Sequence, residues 1–131
     1  MANLQVIVVT PEETVLDCPA EFVALPLIDG EIGILPGHAP TIGRLGYGEM
    51  RVRHGSDTQP FYVDGGFAQI ADNQVTVLSG RALPVSQLDA QEIRQRLSEA
   101  EARHHTTGAE AAQRRQTIDQ AKAQLRILEK A

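Results

Sequence analysis

The chain has 131 residues, 42% hydrophobic and 22% charged, the balance of an ordinary soluble globular domain. Its net charge of −5 is unevenly placed: residues 1–84 hold ten acids against four bases, and residues 85–131 hold seven acids against eight bases. An acidic body lacks the basic footprint that non-specific nucleic-acid binding requires. Aromatic residues make up 4% and Trp is absent, so the expected core is Val, Ile, Leu and Ala. The opening MANLQVIVVTPEE has no basic n-region and no long apolar run, so neither a secretory signal nor a membrane anchor is expected. Cys18 is the sole cysteine, which excludes an internal disulfide and fits a reducing compartment such as the cytoplasm.

Residues 1–84 read as short strands. LQVIVVT, Leu4–Thr10, is a near-continuous apolar run rich in β-branched residues, the pattern of a strand covered on both faces. EMRVRHG alternates, with Met50 and Val52 on one face and Arg51 and Arg53 on the other, as a half-buried strand does. Two further strands, Phe67–Ala71 and Gln74–Leu78, flank a tight turn at Asp72-Asn73. Breaks are expected at Asp29-Gly30, Pro36-Gly37, Gly46-Tyr47-Gly48 and His54-Gly55-Ser56-Asp57. Several short strands at this spacing point to a β-sandwich or small barrel. Gly65-Gly66 inside a strand pattern marks a bulge or a close backbone approach.

After Pro84 the texture becomes helical. From Gln87 to Ala131 there is no proline and a single glycine, and Ala, Glu, Gln and Arg dominate. Asp89 with Glu92, and Thr107 with Glu110, carry the spacing of helix N-terminal capping boxes. HHTTG interrupts the pattern between them. Ala90, Ile93, Leu97 and Ala100 share one face of a first helix; Ala111, Ile118, Ala121, Leu125 and Leu128 share one face of a second. The spacing predicts an antiparallel helical hairpin over residues 85–131. Its few inward aliphatics each contribute at most ~1.5–3 kcal/mol on burial. Ordering the backbone costs ~1–2 kcal/mol per residue, so the hairpin alone is marginal and must lean on the sandwich or on a partner.

Enzyme signatures are nearly absent. There is no Gly-Lys dipeptide and so no P-loop, no G-x-S-x-G elbow, no H-E-x-x-H and no Cys pair for zinc. His104 and His105 are adjacent and point to different sides of a helix end, which does not make a two-ligand metal site. Cys18 lacks a basic neighbour to activate its thiolate. Asp64, before Gly65-Gly66, has no second carboxylate or base near it in sequence and reads as a turn or bulge carboxylate. No metal and no cofactor are expected.

One stretch is more particular than the rest: GEIGILPGHAP, Gly30–Pro40, packs three glycines, two prolines and a histidine among three large aliphatics. Together with YVDGGFAQIADNQVTVLSG (Tyr62–Gly80) and a helical pair ending AQLRILEKA, it resembles the epsilon subunit of bacterial F-type ATP synthases over essentially the whole chain. The resemblance implies a ten-stranded N-terminal β-sandwich, residues 1–84, followed by a C-terminal antiparallel two-helix hairpin, residues 85–131. It further implies a non-catalytic rotor subunit at the foot of the central stalk. Its partners would be the gamma subunit and the c-ring, on the cytoplasmic face of the bacterial inner membrane. In the family the hairpin extends along gamma into the alpha/beta ring and restrains ATP hydrolysis.

On that resemblance Asp29, Gly30 and Glu31 would form a turn offering a carboxylate to the c-ring, with Ile32 beside it. Gly37, His38, Ala39 and Pro40, stiffened by Pro36, would be presented to gamma and the ring, because a torque-bearing contact should not flex. The other reading is a loop whose glycines merely turn corners, and it suits Gly33, Ile34 and Leu35, which are expected to pack inside the sandwich. Arg94, Arg96, Arg103, Arg114, Arg115, Lys122 and Arg126 would face acidic segments of alpha and beta in the extended hairpin, or form an ordinary solvated face. Arg114 lies on the apolar stripe with Ala111, Ile118 and Ala121, so a polar partner is expected across from it. Many family members bind ATP through an Ile/Leu-Asp-x-x-Arg-Ala motif. Here Leu88 and Asp89 match it, whereas Glu92 stands for the Arg and Ile93 for the Ala, and a carboxylate there repels phosphate. A different class of function, a free-standing ligand-binding sandwich with a helical cap, differs in keeping the apolar surface around Ile32–Ala39 covered. A small hydrolase would need a nucleophile–base pair that the chain lacks.

Overall fold

Strands fill the first part of the chain and helices the second in the computed structural model, which describes residues 3–104 and 107–130. Tertiary contacts divide it into two units, Met1–Pro84 and Val85–Ala131. In the first, eight strands run β1 (Leu4–Val9), β2 (Thr14–Ala20), β3 (Phe22–Leu27), β4 (Gly30–Ile34), β5 (Thr41–His54), β6 (Asp57–Ala71), β7 (Gln74–Leu78) and β8 (Ala82–Pro84). They form a β-sandwich with neighbours in the order β2-β1-β7-β6-β5-β3-β4, and β8 also pairs with β6. All pairs are antiparallel except β1 with β7.

The strand count is eight where ten were expected, and the reason lies in β5 and β6. Gly46-Tyr47-Gly48 does not break the chain; β5 runs 14 residues through it and β6 runs 15 residues opposite. Their ladder holds one register from Thr41↔Ile70 to His54↔Asp57. The first half of β6 pairs with β8 and the second half with β7, so one long strand does the work of two short ones. Gly65 and Gly66, at φ +72 and +105, let β6 change partners. A Cβ on Gly66 would lie 1.9 Å from the Leu78 carbonyl oxygen, so only glycine admits this approach of β6 to β7.

The core follows the period-two pattern. Met50 and Val52 are buried on β5 while Arg53 is exposed. β1 departs from its reading as a strand covered on both faces. Leu4, Val6 and Val8 are buried, but Gln5 is exposed and Ile7 and Val9 are half-buried, because one face of β1 is left outside the core. Phe61 and Tyr62 are the largest fully buried side chains; Phe61 lies in the core among aliphatics from β1, β3, β4, β5 and β7, and Tyr62, next to it on the strand, faces the other way. Asp72 and Asn73, both with φ near +60, close the β6–β7 hairpin in the geometry whose twist matches its strands.

The second unit begins with a 3₁₀ turn, Val85–Gln87, followed by α1 (Ala90–Ala102) and α2 (Gly108–Lys130). Asp89 caps α1 by accepting from the N–H groups of Gln91 and Glu92 at 3.0 and 3.3 Å. The Glu92 side chain accepts from Arg96. Thr107 Oγ1 accepts from Glu110 N–H at 3.1 Å and starts α2. Arg96 of α1 reaches Gln124 of α2, and Arg114 of α2 reaches Glu101 of α1, so the helices are antiparallel. Ile93, Ala100, Ile118 and Ala121 are buried as the periodicity predicts. Leu125 and Leu128 are only half-buried, and Ala123, Gln124 and Ile127 are buried instead, a wider stripe than expected.

Candidate functional site

The Gly30–Pro40 stretch does not form one surface. Its first half builds β4, which pairs with β3 through Leu27↔Gly30 and Pro26↔Glu31. Asp29, Gly30 and Glu31 therefore lie at the β3–β4 turn, all exposed, with Ile32 half-buried behind them. Gly37, His38, Ala39 and Pro40 leave the opposite end of β4 and lie at the β6–β7 turn, where Gly37 N–H donates to Asn73 Oδ1 at 2.7 Å. Ile34 is fully buried, as expected of a packing residue. Gly33 and Leu35, expected to pack beside it, are instead exposed: Gly33 alternates outward on β4, and Leu35, at 56% exposure, lies one residue past the end of that strand.

Glu31 is not a bare carboxylate. Arg51 of β5 grips it with both terminal nitrogens, at 3.1 and 2.7 Å, and also donates to Glu49 at 3.2 Å. The hydrogen bond to Glu31 pushes the Arg51 guanidinium up from its usual range, with burial opposing and Glu49 adding to the rise. This end of the sandwich presents an oriented, partly neutralised ionic cluster. The other end is stiffened differently. Leu35 O accepts from His38 N–H, the Ala39 carbonyl accepts from Thr41 Oγ1 at 3.0 Å, and His38 Nδ1 sits 2.7 Å from that same carbonyl.

The larger surface feature was not singled out in the sequence. Ile42, Phe67 and Leu78 are exposed at 74, 53 and 53%, and they stand on adjacent strands. Their neighbours in sequence, Ala68 and Val77, face the core, so these three share the outer face of β5, β6 and β7. Phe67 pairs with Leu78, and Leu78 with the half-buried Val9 of β1. An open cleft of about 360 Å³ continues the band past Leu78, lined by Val9, Thr10 and Pro11. The signal was present: alternation puts Ile42 with Arg44 and Phe67 with Gln69 on the outward face. Apolar side chains standing together across neighbouring strands in this way differ from the singly scattered ones of an ordinary solvated surface.

The remaining candidates are distributed as follows. Asp64 is held in the sandwich: Tyr62 Oη donates to its carboxylate at 2.9 Å, and its N–H meets Ser79 Oγ and Arg81 O. The Cys18 thiol is pushed up by burial and by Asp17, away from the reactive thiolate. In the helical unit Arg94, Arg103, Arg115, Lys122 and Arg126 are exposed, whereas Arg96 and Arg114 are half-buried and tied across the hairpin. Arg114 finds its polar partner in the Glu101 carbonyl at 3.1 Å, but its buried Nε–H meets none. Leu88 is half-buried, Asp89 is spent on the α1 cap, Glu92 pairs with Arg96 at 3.4 Å and Ile93 is buried. Among the described residues no three His, Cys, Asp or Glu side chains cluster to hold a metal ion, and His105 lies outside the described residues. No described helix is long and apolar enough to cross a membrane.

Comparison with known proteins gives this geometry its family. The family described as "ATP synthase, Delta/Epsilon chain, beta-sandwich domain" matches residues 3–85. The ATP synthase epsilon chain of Rhodopirellula baltica is 47% identical over 124 residues, spanning 95% of this chain and 97% of that one. The chloroplastic epsilon chain of Guillardia theta is 36% identical over 128 residues, with 96% and 98% covered. Among solved structures, a chain of the Euglena gracilis mitochondrial ATP synthase, OSCP/F1/c-ring, superposes with a TM-score of 0.88 at 23% identity, covering 98% of this chain and 82% of that one. A chain of the Tetrahymena thermophila mitochondrial ATP synthase central stalk/c-ring superposes with a TM-score of 0.70 at 15% identity, covering 96% of each; at these identities both show a shared fold. With a matched sandwich and relatives of the same length, the chain belongs to the delta/epsilon family of ATP synthase chains, as a non-catalytic subunit.

Proposed function

We propose that this subunit turns with the central stalk and couples ion flow through the c-ring to ATP synthesis, with its sandwich as the mount and its hairpin as a brake on hydrolysis. The exposed apolar band Ile42–Phe67–Leu78 carries this reading, because a free-standing module would cover such a surface. The band is the docking face for gamma, and the His38 loop at the β6–β7 turn extends that face. The Glu31–Arg51 cluster, at the other end of β4, meets the polar loops of the c-ring, so the Gly30–Pro40 stretch serves two partners from its two ends. Association with the cytoplasmic face of the bacterial inner membrane is then entirely through the complex.

Arg94, Arg103, Arg115, Lys122 and Arg126 are solvated while the hairpin is folded and available to acidic segments of alpha and beta when it extends. Glu92 at the position of the nucleotide motif's Arg leaves the folded hairpin without that cation for a phosphate. ATP is therefore not the ligand that holds it folded.

The test is ATP hydrolysis by an alpha/beta/gamma complex lacking this chain, titrated with the full chain and with Phe67→Glu. The wild-type chain is expected to bind and slow turnover. Because Phe67 is solvent-facing, Phe67→Glu is expected to fold normally yet bind about a hundredfold more weakly, the loss of an interface hot spot. A wild-type chain that stays monomeric and leaves the complex untouched would return the sandwich to the class of free-standing ligand-binding modules.

A further inference from the structure

Asn73 joins three segments that the sequence keeps far apart. It is the second residue of the β6–β7 turn, at φ +60. Its backbone carbonyl accepts from Gln5 N–H at 2.8 Å, which pins the turn to β1. Its side-chain oxygen accepts from Gly37 N–H at 2.7 Å, 36 residues away in sequence. Gly37 itself stands at φ +87, a conformation that L side chains rarely adopt and that glycine reaches without strain but does not hold by itself, so a tie such as the one to Asn73 is needed to fix it.

We propose that Asn73 is the positioning residue of the His38 loop: it fixes the loop on the sandwich as a preformed extension of the apolar band. The inference rests on the reading of that face as the gamma contact. Among the described residues, the other turn and side-chain hydrogen bonds of the loop are local, from His38 N–H to Leu35 O and from His38 and Thr41 to the Ala39 carbonyl, while its ends run into β4 and into the Thr41↔Ile70 pair of β5. The bond to Asn73 refers the middle of the loop, between those two anchored ends, to the β6–β7 turn. A loop held in its bound geometry before the partner arrives loses less conformational freedom on binding, and affinity rises accordingly. Asn suits both tasks here, since it tolerates the left-handed turn and carries an acceptor for a backbone N–H.

The two tasks separate cleanly by substitution. Asn73→Gly keeps the left-handed turn and deletes the acceptor, while Asn73→Asp keeps both. In the full chain, Asn73→Gly is expected to leave the melting temperature unchanged or raised and to speed exchange of the Gly37 amide about fivefold, the loss of one hydrogen bond. Affinity for the gamma-containing complex is expected to fall by about threefold to tenfold, and Asn73→Asp restores both readouts. Unchanged Gly37 exchange in Asn73→Gly overturns the proposal, as does faster exchange with unchanged affinity. If the wild-type chain does not bind the complex, the rotor reading fails instead, and exchange alone decides whether Asn73 holds the loop.

Discussion

The two units of this chain are stabilised in different ways. The sandwich buries Leu4, Val6, Val8, Leu25, Ile34, Met50, Phe61 and Tyr62 almost completely, within an interlocked ladder whose longest pair spans Thr41 to Ala71. The hairpin relies on alanine: Ala100, Ala121 and Ala123 sit beside Ile93, Ile118 and Ile127, and Gln124 is buried among them. Among the described residues the helices are tied by single polar contacts such as Arg96 to Gln124 at 3.3 Å and Arg114 to the Glu101 carbonyl at 3.1 Å. Small side chains contribute little on burial, and a hydrogen bond contributes a net ~1 kcal/mol. One unit is held by large, deeply buried side chains and a long ladder, the other by small side chains and single polar contacts.

Breaking the rigid side of that comparison calls for the Gly66 approach. Gly66→Ala forces a Cβ into the Leu78 carbonyl at a positive φ, and is expected to lower the sandwich's unfolding free energy by about 3–5 kcal/mol in urea titration. A cost below ~1 kcal/mol would mean that the β6–β7 corner yields and is no rigid mount.

Matched deletions in the two cores sharpen the contrast. Ile34→Ala, at a fully buried site, is expected to cost the sandwich about 3 kcal/mol. Ile118→Ala is expected to cost about 2 kcal/mol, seen in the helical signal alone, because its alanine neighbours make few contacts to lose. Equal costs in one shared transition would show the hairpin to be as well packed as the sandwich.

A smaller effect, of opposite sign, comes from Arg114. Its buried Nε–H is desolvated without a partner, and the Glu101 contact offsets only part of that cost. Arg114→Met keeps the stem packed beside Ile118 and removes the orphan donor, so the hairpin is expected to gain about 1 kcal/mol, with slower helical hydrogen exchange. In the assembled complex the same variant is expected to inhibit hydrolysis less, since the folded hairpin is favoured. A loss of stability would instead make Arg114 a clamp.

Cys18 gives the smallest effect. Burial and Asp17 raise its thiol above the ordinary value, so less thiolate is present at pH 8 than in the unfolded chain. Alkylation of the native protein at that pH is expected to be slower than that of the urea-unfolded chain. The sign for stability follows from the raised value. The contribution is fully present below the unfolded thiol's pKa and is lost as pH rises through the folded one. Equal alkylation rates would show a Cys18 strand open to solvent.

Most strand and helix positions were legible because each rests on a local period. Met50-x-Val52 against Arg51-x-Arg53, the Asp72-Asn73 turn and the Asp89 cap all depend on near neighbours in the chain. Three features escaped for the same physical reason. Gly46-Tyr47-Gly48 looked like a break, yet β5 crosses it because cross-strand pairing with β6 outweighs the weak strand preference of glycine. Leu35 looked like a core residue, but its exposure depends on where β4 ends. Ile42, Phe67 and Leu78 carry an outward signal one by one; that they meet is decided by register between strands.

By itself the amino-acid sequence determined the division into a β unit and a helical unit, the aliphatic core, the caps and the family, since all of these are written in local pattern and motif. Only the tertiary structure decided that Gly30–Pro40 divides between two ends of the sandwich, that Arg51 holds Glu31, and that Asn73 holds Gly37. Those contacts join residues 20 and 36 positions apart. Nothing in a local period encodes such pairs; they exist because backbone hydrogen bonding and core burial settle the register of the whole sheet at once.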